Sequence, residues 1–313
     1  MTAPATSALR GQLADYLSLR RALGYQLERP QTLLGQFLDY LEDAGEVTVS
    51  VSSALSWALL STNAGPAWRA YRLAVVRGFA TYLHALDPAH EVPAVGLLPR
   101  RTHRGTPYLF SDQDIAALMA AAQSLPTPLR RATFATLIGL LAVTGMRVGE
   151  AICLDRRDAD LDAGIVLVRH GKFNKRRELV LHASTSQALG SYLAARDRLA
   201  PHTGSDALFV STTGTRLLYR NVQRVFQELV LTVGLRPPTG ERRPRLHDLR
   251  HSFVVGSMLD AYASGEDGQH RLSLISTYLG HVHPTSTYWY LSASPELMAS
   301  AGQRLEAHLD GRS

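Results

Sequence analysis

The sequence has almost no cysteine and no long apolar run. Its single cysteine, Cys153, excludes an internal disulfide and a thiolate metal cluster. Because Cys153 lies in the apolar run 151–154, we predict a buried, small hydrophobic side chain there. No uninterrupted apolar stretch reaches the roughly 18 residues of a membrane span, and the first residues lack the pattern of a secretory signal. Secretion and membrane insertion are therefore not expected, and a reducing cytoplasm fits the composition.

The usual signatures of nucleotide and zinc chemistry are missing as well. The sequence contains no G-x-x-x-x-G-K-[ST], no G-x-G-x-x-G after a strand pattern and no H-E-x-x-H. Positive charge, in contrast, is in excess: 33 Lys and Arg residues stand against 27 Asp and Glu residues, for a formal net charge of +6. This balance favours a polyanionic partner.

The length of 313 residues predicts two domains, since single hydrophobic cores stop growing at about 250 to 300 residues. Residues 1–92 have apolar residues at helical spacing and no strand pattern, so we predict an all-α bundle of about four helices. Residues 93–107 are rich in proline, glycine and arginine, which is typical of an exposed basic linker. The second domain would then span residues 108–313.

The second domain is predicted to be mostly helical with one small antiparallel β-sheet, an α+β fold. A serine cap at Ser111 and a glycine C-cap at Gly145 mark two of its helix ends. The β-branched stretches 164–169 and 178–181 predict a hairpin with a basic tip between them. The glycine-containing stretch 263–269 is predicted to be an inserted loop.

Charged and phenolic residues of this domain suit the cleavage of a phosphodiester. The transition state spreads negative charge over the non-bridging oxygens, and guanidinium groups match that geometry in bidentate fashion. A tyrosine hydroxyl, with an ordinary pKa of about 10, needs a neighbouring base or dense positive charge to react near neutral pH. An imidazole can supply the base, and a lysine can protonate the leaving oxygen. The candidates for these roles are Arg147, Lys172, His247, Arg250, His281 and Tyr290.

The motifs that contain these candidates resemble those of the tyrosine recombinases, the phage integrase family. In chain order they are T-G-M-R-V-G-E at 144–150, G-K at 171–172, H-D-L-R-H-S-F at 247–253, L-G-H at 279–281, and Tyr290. A single H-x-x-R box is common by chance, whereas five motifs in this order, with the tyrosine nine residues after the histidine, are specific. The resemblance covers the chain from about residue 107, and the N-terminal bundle resembles the core-binding domain of that family.

The resemblance implies roles for the residues that face the phosphate. Arg147 and Arg250 would clamp the scissile phosphate, and His281 would be a further hydrogen-bond donor to it. His247 would serve as general base or as a phosphate donor. Glu150 falls where the family has an acid, and it would orient the active-site cations.

The resemblance also implies that Tyr290 is the nucleophile and forms a 3′-phosphotyrosine link, while Lys172 is the general acid for the 5′ hydroxyl. Because the link retains the energy of the broken phosphodiester, the family needs no cofactor, neither a metal nor ATP. Two alternatives stay open. Tyr288 is a rival hydroxyl, and Lys175 is a rival acid because Phe173 stands where the family often has glycine or another small residue.

Further basic residues are candidates for contact with DNA. Some lie on the predicted fourth helix of the bundle, some in the linker, and the others at the hairpin tip and in the loop before His247. A solvated face is the alternative interpretation for the helix, and a solvated, DNA-facing tip is the simplest one for the hairpin. The candidates are Arg69, Arg72, Arg100, Arg101, Arg104, Lys175, Arg176, Arg177, Arg243 and Arg245.

The resemblance also implies that the protein forms a two-domain, C-shaped clamp on double-stranded DNA with specific recombination sites. A homotetramer, with or without a second recombinase or an accessory protein, would act through a Holliday junction in the cytoplasm, associated with the nucleoid. The motifs are similar to those of Xer recombinases and of recombinases from mobile elements. The tail after Tyr290 would form an amphipathic helix that docks on a neighbouring subunit or caps its own domain.

Two other functions share part of these features. A type IB topoisomerase uses the same chemistry and would relax a plasmid that lacks any recombination site. A catalytically silent accessory protein would keep the fold and bind DNA without forming a covalent adduct. The complete set of candidate residues favours the recombinase.

Overall fold

The computed structural model describes residues 3–60, 65–99, 106–169, 176–236, 243–280 and Gly302, with side chains from residue 8 onward. The chain divides into two compact units, Met1–Arg104 and Gly105–Ser313. Among the helices of the described ranges, none has the length and apolar character that a membrane span requires. The predicted domain boundaries at residues 92 and 108 stay predictions.

The described part of the first unit is helical. Its helices are α1 (Ala3–Ala22), α2 (Glu28–Asp43), α3 (Val51–Leu59) and α4 (Pro66–Leu86). One face of each helix is apolar, and these faces share a core that includes the buried rings of Phe37, Trp57 and Phe79. Local signals define the helix ends, such as the Ser50 hydroxyl, which accepts the N–H of Ser53 at the start of α3. The predicted all-α bundle is confirmed.

The described part of the second unit contains helices and one three-stranded sheet. The helices are α5 (Asp112–Ala121), α6 (Pro128–Thr144), α7 (Val148–Cys153), α8 (Ala183–Leu199), α9 (Tyr219–Val233), α10 (Leu246–Ala263) and α11 (Gly268–Tyr278), and the strands are β1 (Ala159–Asp160), β2 (Ile165–Val168) and β3 (Arg177–Val180). The sheet is antiparallel in the order β1-β2-β3, and the facing residues Val166 and Leu179 are both fully buried. The predicted fold class, mostly α with a small antiparallel sheet, is confirmed.

The end of α6 determines the position of the first motif, T-G-M-R-V-G-E at 144–150. Gly145 follows α6 with a left-handed φ of 58°. A Cβ at this position would lie 2.5 Å from Cδ1 of Phe253 in α10, so both the backbone and the packing require glycine. Arg147 follows two residues later, at the N-cap position of α7. The close packing of α6 against α10 therefore positions Arg147.

One prediction about local structure is wrong, and another holds with narrower bounds. Cys153 is exposed, because Val148, Ala151 and Ile152 occupy the buried face of the six-residue helix α7 and leave Cys153 on its other side. The loop predicted at 263–269 is present but covers only residues 264–267, since α10 continues to Ala263 and α11 begins at Gly268. Strand β1 was not predicted, because two residues carry no periodicity that could be recognised.

Candidate active site

The side chain of Arg250 connects the segments that carry three of the predicted motifs. Its Nη1 donates a hydrogen bond of 2.8 Å to the carbonyl oxygen of Gly145, and its Nη2 donates one of 3.0 Å to that of Leu279. Gly145 lies two residues before Arg147, and Leu279 lies two residues before His281. Arg250 itself is 2% exposed. The fold thus brings the first, third and fourth motifs to one place.

Arg147 is held at the N-terminus of α7 by Glu150. Oε2 of Glu150 accepts the backbone N–H of Arg147 at 2.9 Å, and Oε1 accepts from Nη1 of the same residue at 2.8 Å. The Glu150 side chain is buried, whereas 28% of the Arg147 side chain remains exposed. One carboxylate therefore caps the helix and orients the guanidinium.

Glu150 has a second arginine partner, Arg177 at the start of β3. Nη1 of Arg177 donates to Oε1 at 3.1 Å, and Nη2 donates to Oε2 at 2.6 Å. Only 12% of the Arg177 side chain is exposed, so the interpretation as part of a solvated hairpin tip is wrong for this residue. The pairing was missed because it joins two elements that lie 27 residues apart, and no local sequence signal marks it.

Helix α10 begins with a similar arrangement of an arginine and an acid. Oδ2 of Asp248 accepts the backbone N–H of Arg245 at 2.8 Å, and Oδ1 accepts from Nη2 of Arg245 at 2.8 Å. Asp248 is 1% exposed. Its role was not predicted, although the spacing Arg-x-x-acid in R-V-G-E and R-L-H-D is visible in the chain. This carboxylate fixes the first turn of α10, which carries His247 and Arg250.

His247 lies on the accessible side of that first turn. Its ring centroid is 4.9 Å from that of His251, and the two rings are nearly perpendicular. Although the residue keeps an exposed edge, partial burial lowers the pKa of His247, and the positive charge of Arg250 lowers it further. Asp248 opposes this shift, and Arg245 and Arg147 add to it. The neutral imidazole, which can accept a proton, is therefore favoured at neutral pH.

The other predicted residues are placed in three groups. Arg69 and Arg72 belong to the first unit, where the guanidinium of Arg72 lies over the ring of Trp57 at 3.8 Å. Arg176 and Arg243 are exposed in the second unit. The remaining candidates lie outside the described residues: Arg100, Arg101, Arg104, Lys172, Lys175, His281 and Tyr290, together with the rival Tyr288. Within the described ranges, no three His, Cys, Asp or Glu residues are grouped so that they could hold a metal ion.

Comparison with known proteins gives concordant matches. Residues 109–296 match the phage integrase family. The chain is 40% identical over 313 residues to the "Putative integrase/recombinase y4rB" of Sinorhizobium fredii (strain NBRC 101917 / NGR234), a match that covers 98% of this chain and all of that protein. It is 30% identical over 282 residues to the tyrosine recombinase XerC of Actinobacillus pleuropneumoniae serotype 7 (strain AP76), covering 88% and 86%. A solved lambda integrase tetramer bound to a Holliday junction has the same fold, with a TM-score of 0.58 at 18% identity and coverage of 88% and 78%.

The chain therefore belongs to the phage integrase family. It is a tyrosine recombinase, an enzyme of site-specific recombination that cleaves and rejoins DNA strands.

Proposed function

We propose that this chain recombines double-stranded DNA at specific sites through a 3′-phosphotyrosine link to Tyr290. The observation that carries the proposal is the position of Arg250, whose guanidinium contacts the carbonyls two residues before Arg147 and two residues before His281. The charges of Arg250 and Arg147 both act on His247, which supports a cluster of guanidinium groups and an imidazole in this region. Such a group suits a phosphate whose non-bridging oxygens gain charge in the transition state.

In the proposed first step, the hydroxyl oxygen of Tyr290 attacks the scissile phosphorus while its proton passes to His247. The bond between phosphorus and the 5′ oxygen breaks, and that oxygen takes a proton from Lys172, with Lys175 as the alternative acid. The 5′ hydroxyl of a second DNA strand then attacks the phosphotyrosine, and the same groups return the protons. After the first pair of strands has exchanged, the product is a Holliday junction.

Arg147, Arg250 and His281 hold the non-bridging oxygens throughout these steps. Because each step exchanges one phosphodiester for another, the reaction needs neither ATP nor a metal cofactor. The lowered pKa of His247 favours the neutral imidazole near pH 7, which is the form that can receive the tyrosine proton.

We further propose that residues 1–92 bind DNA, that residues 93–107 link the two domains and that residues 108–313 catalyse the strand cleavage and rejoining. The tetrameric state of the lambda integrase structure supports a homotetramer on DNA. The proposed location is the cytoplasm, on the nucleoid. Basic side chains that contact the DNA phosphates are proposed to include the exposed Arg176 and Arg243 together with Arg69, Arg72 and Arg245.

A nicked suicide substrate tests this proposal. Duplexes that bind the chain are first selected from a random library, and a nick is then placed next to the cleavage point so that the cleaved fragment diffuses away. The wild-type chain is expected to accumulate a covalent protein–DNA adduct on a denaturing gel. Specific binding without any adduct would refute the recombinase. Relaxation of a plasmid that lacks the selected sequence would indicate a topoisomerase instead.

A further inference from the structure

The carboxylate of Glu150 is saturated with hydrogen bonds from two arginines. Arg147 supplies its backbone N–H at 2.9 Å and Nη1 at 2.8 Å, and Arg177 supplies Nη1 at 3.1 Å and Nη2 at 2.6 Å. A carboxylate has about four lone-pair sites, so these four donors fill them. Glu150 is 5% exposed, which leaves little access for water to replace a lost partner.

Glu150, Arg147 and Arg177 form a triad of charged side chains that differ in sign and in exposure. One buried carboxylate stands between two guanidinium groups, so the group as a whole carries a net positive charge. Arg177 is the less exposed arginine, at 12% against 28% for the Arg147 side chain. A simple Arg147–Glu150 pair would be neutral, and a neutral pair attracts a phosphate far less than an uncompensated guanidinium does.

Burial alone would raise the pKa of Glu150, but the hydrogen bond and charge of Arg177, followed by those of Arg147, make the net shift a lowering. The carboxylate is thus ionised at neutral pH, and its charge must be balanced by a neighbour. Both of its oxygens accept from the side chain of Arg177, whereas only Oε1 accepts from that of Arg147.

Arg177 also lies against the segment of the fourth motif. Its Cδ and Nη1 are 3.5 Å from the point that a Cβ on Gly280 would occupy, and Gly280 directly precedes His281. In the sheet, Arg177 pairs with Val168 at the end of the β2–β3 hairpin. One side chain therefore binds the acid that holds Arg147 and lies beside the turn that leads to His281.

We propose that Arg177 is a positioning residue for the recombination reaction. By neutralising Glu150, it keeps the charge of Arg147 available to the scissile phosphate and keeps that guanidinium from being drawn fully onto the carboxylate. This inference rests on the proposed function, in which Arg147 binds the phosphate.

The test measures single-turnover adduct formation on the suicide substrate for the wild-type chain and for variants of both residues. Arg177→Met is expected to slow the reaction about 100-fold, the order of effect of losing one well-placed transition-state donor. DNA affinity should change by less than about 3-fold, because the phosphate contacts are spread over many residues. Adding Glu150→Gln to Arg177→Met is expected to raise the rate of adduct formation again by at least about 10-fold, since the uncompensated carboxylate is then gone.

Loss of one partner of a buried ion pair can unfold a protein, so the deciding comparison does not depend on Arg177→Met. It compares Glu150→Gln, whose amide oxygen can still accept from Arg177, with the double variant Arg177→Met/Glu150→Gln, in which neither charge of the Glu150–Arg177 pair remains, and both variants must first show the melting transition of a folded protein. The two rates should agree within about 3-fold, because Arg177 has no carboxylate to neutralise once Glu150 is an amide. A double variant about 100-fold slower than Glu150→Gln would overturn the inference, since Arg177 would then act directly.

The matched control is Arg216→Met, which removes an arginine that binds Asp155 and the carbonyls of Ile152 and Leu154 in the same unit. It should lower the melting temperature and leave the cleavage rate within about 3-fold of wild type. A comparable slowing in Arg216→Met would show that lost packing alone explains the effect, and the inference would be wrong. If the wild-type chain itself forms no adduct, the proposed function fails and this inference fails with it.

Discussion

At the scale of single residues, two arginines near the site are oriented by buried acids. Arg147 with Glu150 and Arg245 with Asp248 each place a guanidinium three residues before its carboxylate at a helix start. In both pairs the side chain of the acid is almost fully buried and that of the arginine is partly exposed. The acid thus fixes the direction of the arginine while the arginine stays accessible to an anion.

The pH dependence of cleavage tests the role of His247. Burial and the charge of Arg250 hold the pKa of His247 below the ordinary 6.5, so the neutral base persists until the pH falls below that value. We expect the single-turnover rate of adduct formation to decline on the acid side as His247 gains a proton. His247→Gln should be slower at neutral pH and should lose this decline. If the rates of wild type and His247→Gln declined over the same acidic pH range, the titrating group would be a residue other than His247.

A glycine substitution tests the packing that positions Arg147. In Gly145→Ala, the added methyl meets Phe253 at 2.5 Å and the backbone must keep a φ of 58°. Overpacking and strain together should destabilise the second unit by about 2 kcal/mol, or lower its melting temperature by about 4–8 °C.

The matched control is Gly149→Ala in α7, where an added Cβ has nothing within 4 Å. It should be neutral or stabilising by up to about 1 kcal/mol, since alanine is the better helix former. Equal melting temperatures for Gly145→Ala and wild type would contradict the packing account.

At the scale of structural elements, the helix ends that local sequence signals encode could be predicted from the sequence. The capping box of Ser111 and the glycine after α6 determine helix ends within one element, so the predicted ends agree closely with the structure. The Glu150–Arg177 pair could not be predicted in this way. It forms only when β3 has paired with β2 and the start of β3 lies next to Glu150 of α7, and such contacts depend on residues far apart in the chain.

An element-scale prediction concerns the turn before α3 in the first unit. Nδ1 of His90 accepts the N–H of Val49 at 3.0 Å, so protonation at Nδ1 breaks this bond. Burial lowers the pKa of His90, and Asp87 only partly opposes the shift. The folded state thus prefers neutral His90, and its stabilising effect is lost as the pH falls below the unfolded value of about 6.5.

The measurement is the melting temperature of the first unit's transition between pH 7.5 and pH 5.5, in wild type and in His90→Asn. Asparagine can present an amide oxygen to the same N–H but does not titrate. The wild-type transition should move down more steeply with acid than that of the variant. Parallel shifts in both proteins would mean that His90 contributes no pH dependence.

At the scale of the whole molecule, the chain combines a helical unit with a unit that carries the recombinase motifs. The family and its fold were predictable from the sequence, because five motifs in fixed order leave few alternatives. In the described part of the second unit, Arg250 binds the carbonyl of Gly145, two residues before Arg147, and the charges of Arg250 and Arg147 lower the pKa of His247. The nucleophile, Tyr290, lies outside the described residues, so its assignment rests on its spacing from His281.

The choice between the two hydroxyls is therefore the most direct test of the account. Tyr290→Phe, Tyr288→Phe and wild type are incubated with the suicide substrate, and the adduct is digested and analysed by mass spectrometry to find the nucleotide-bearing peptide residue. We expect Tyr288→Phe and wild type to carry DNA on Tyr290. We also expect Tyr290→Phe to bind the same DNA with nearly unchanged affinity and to form no adduct. An adduct that persists in Tyr290→Phe would contradict the account.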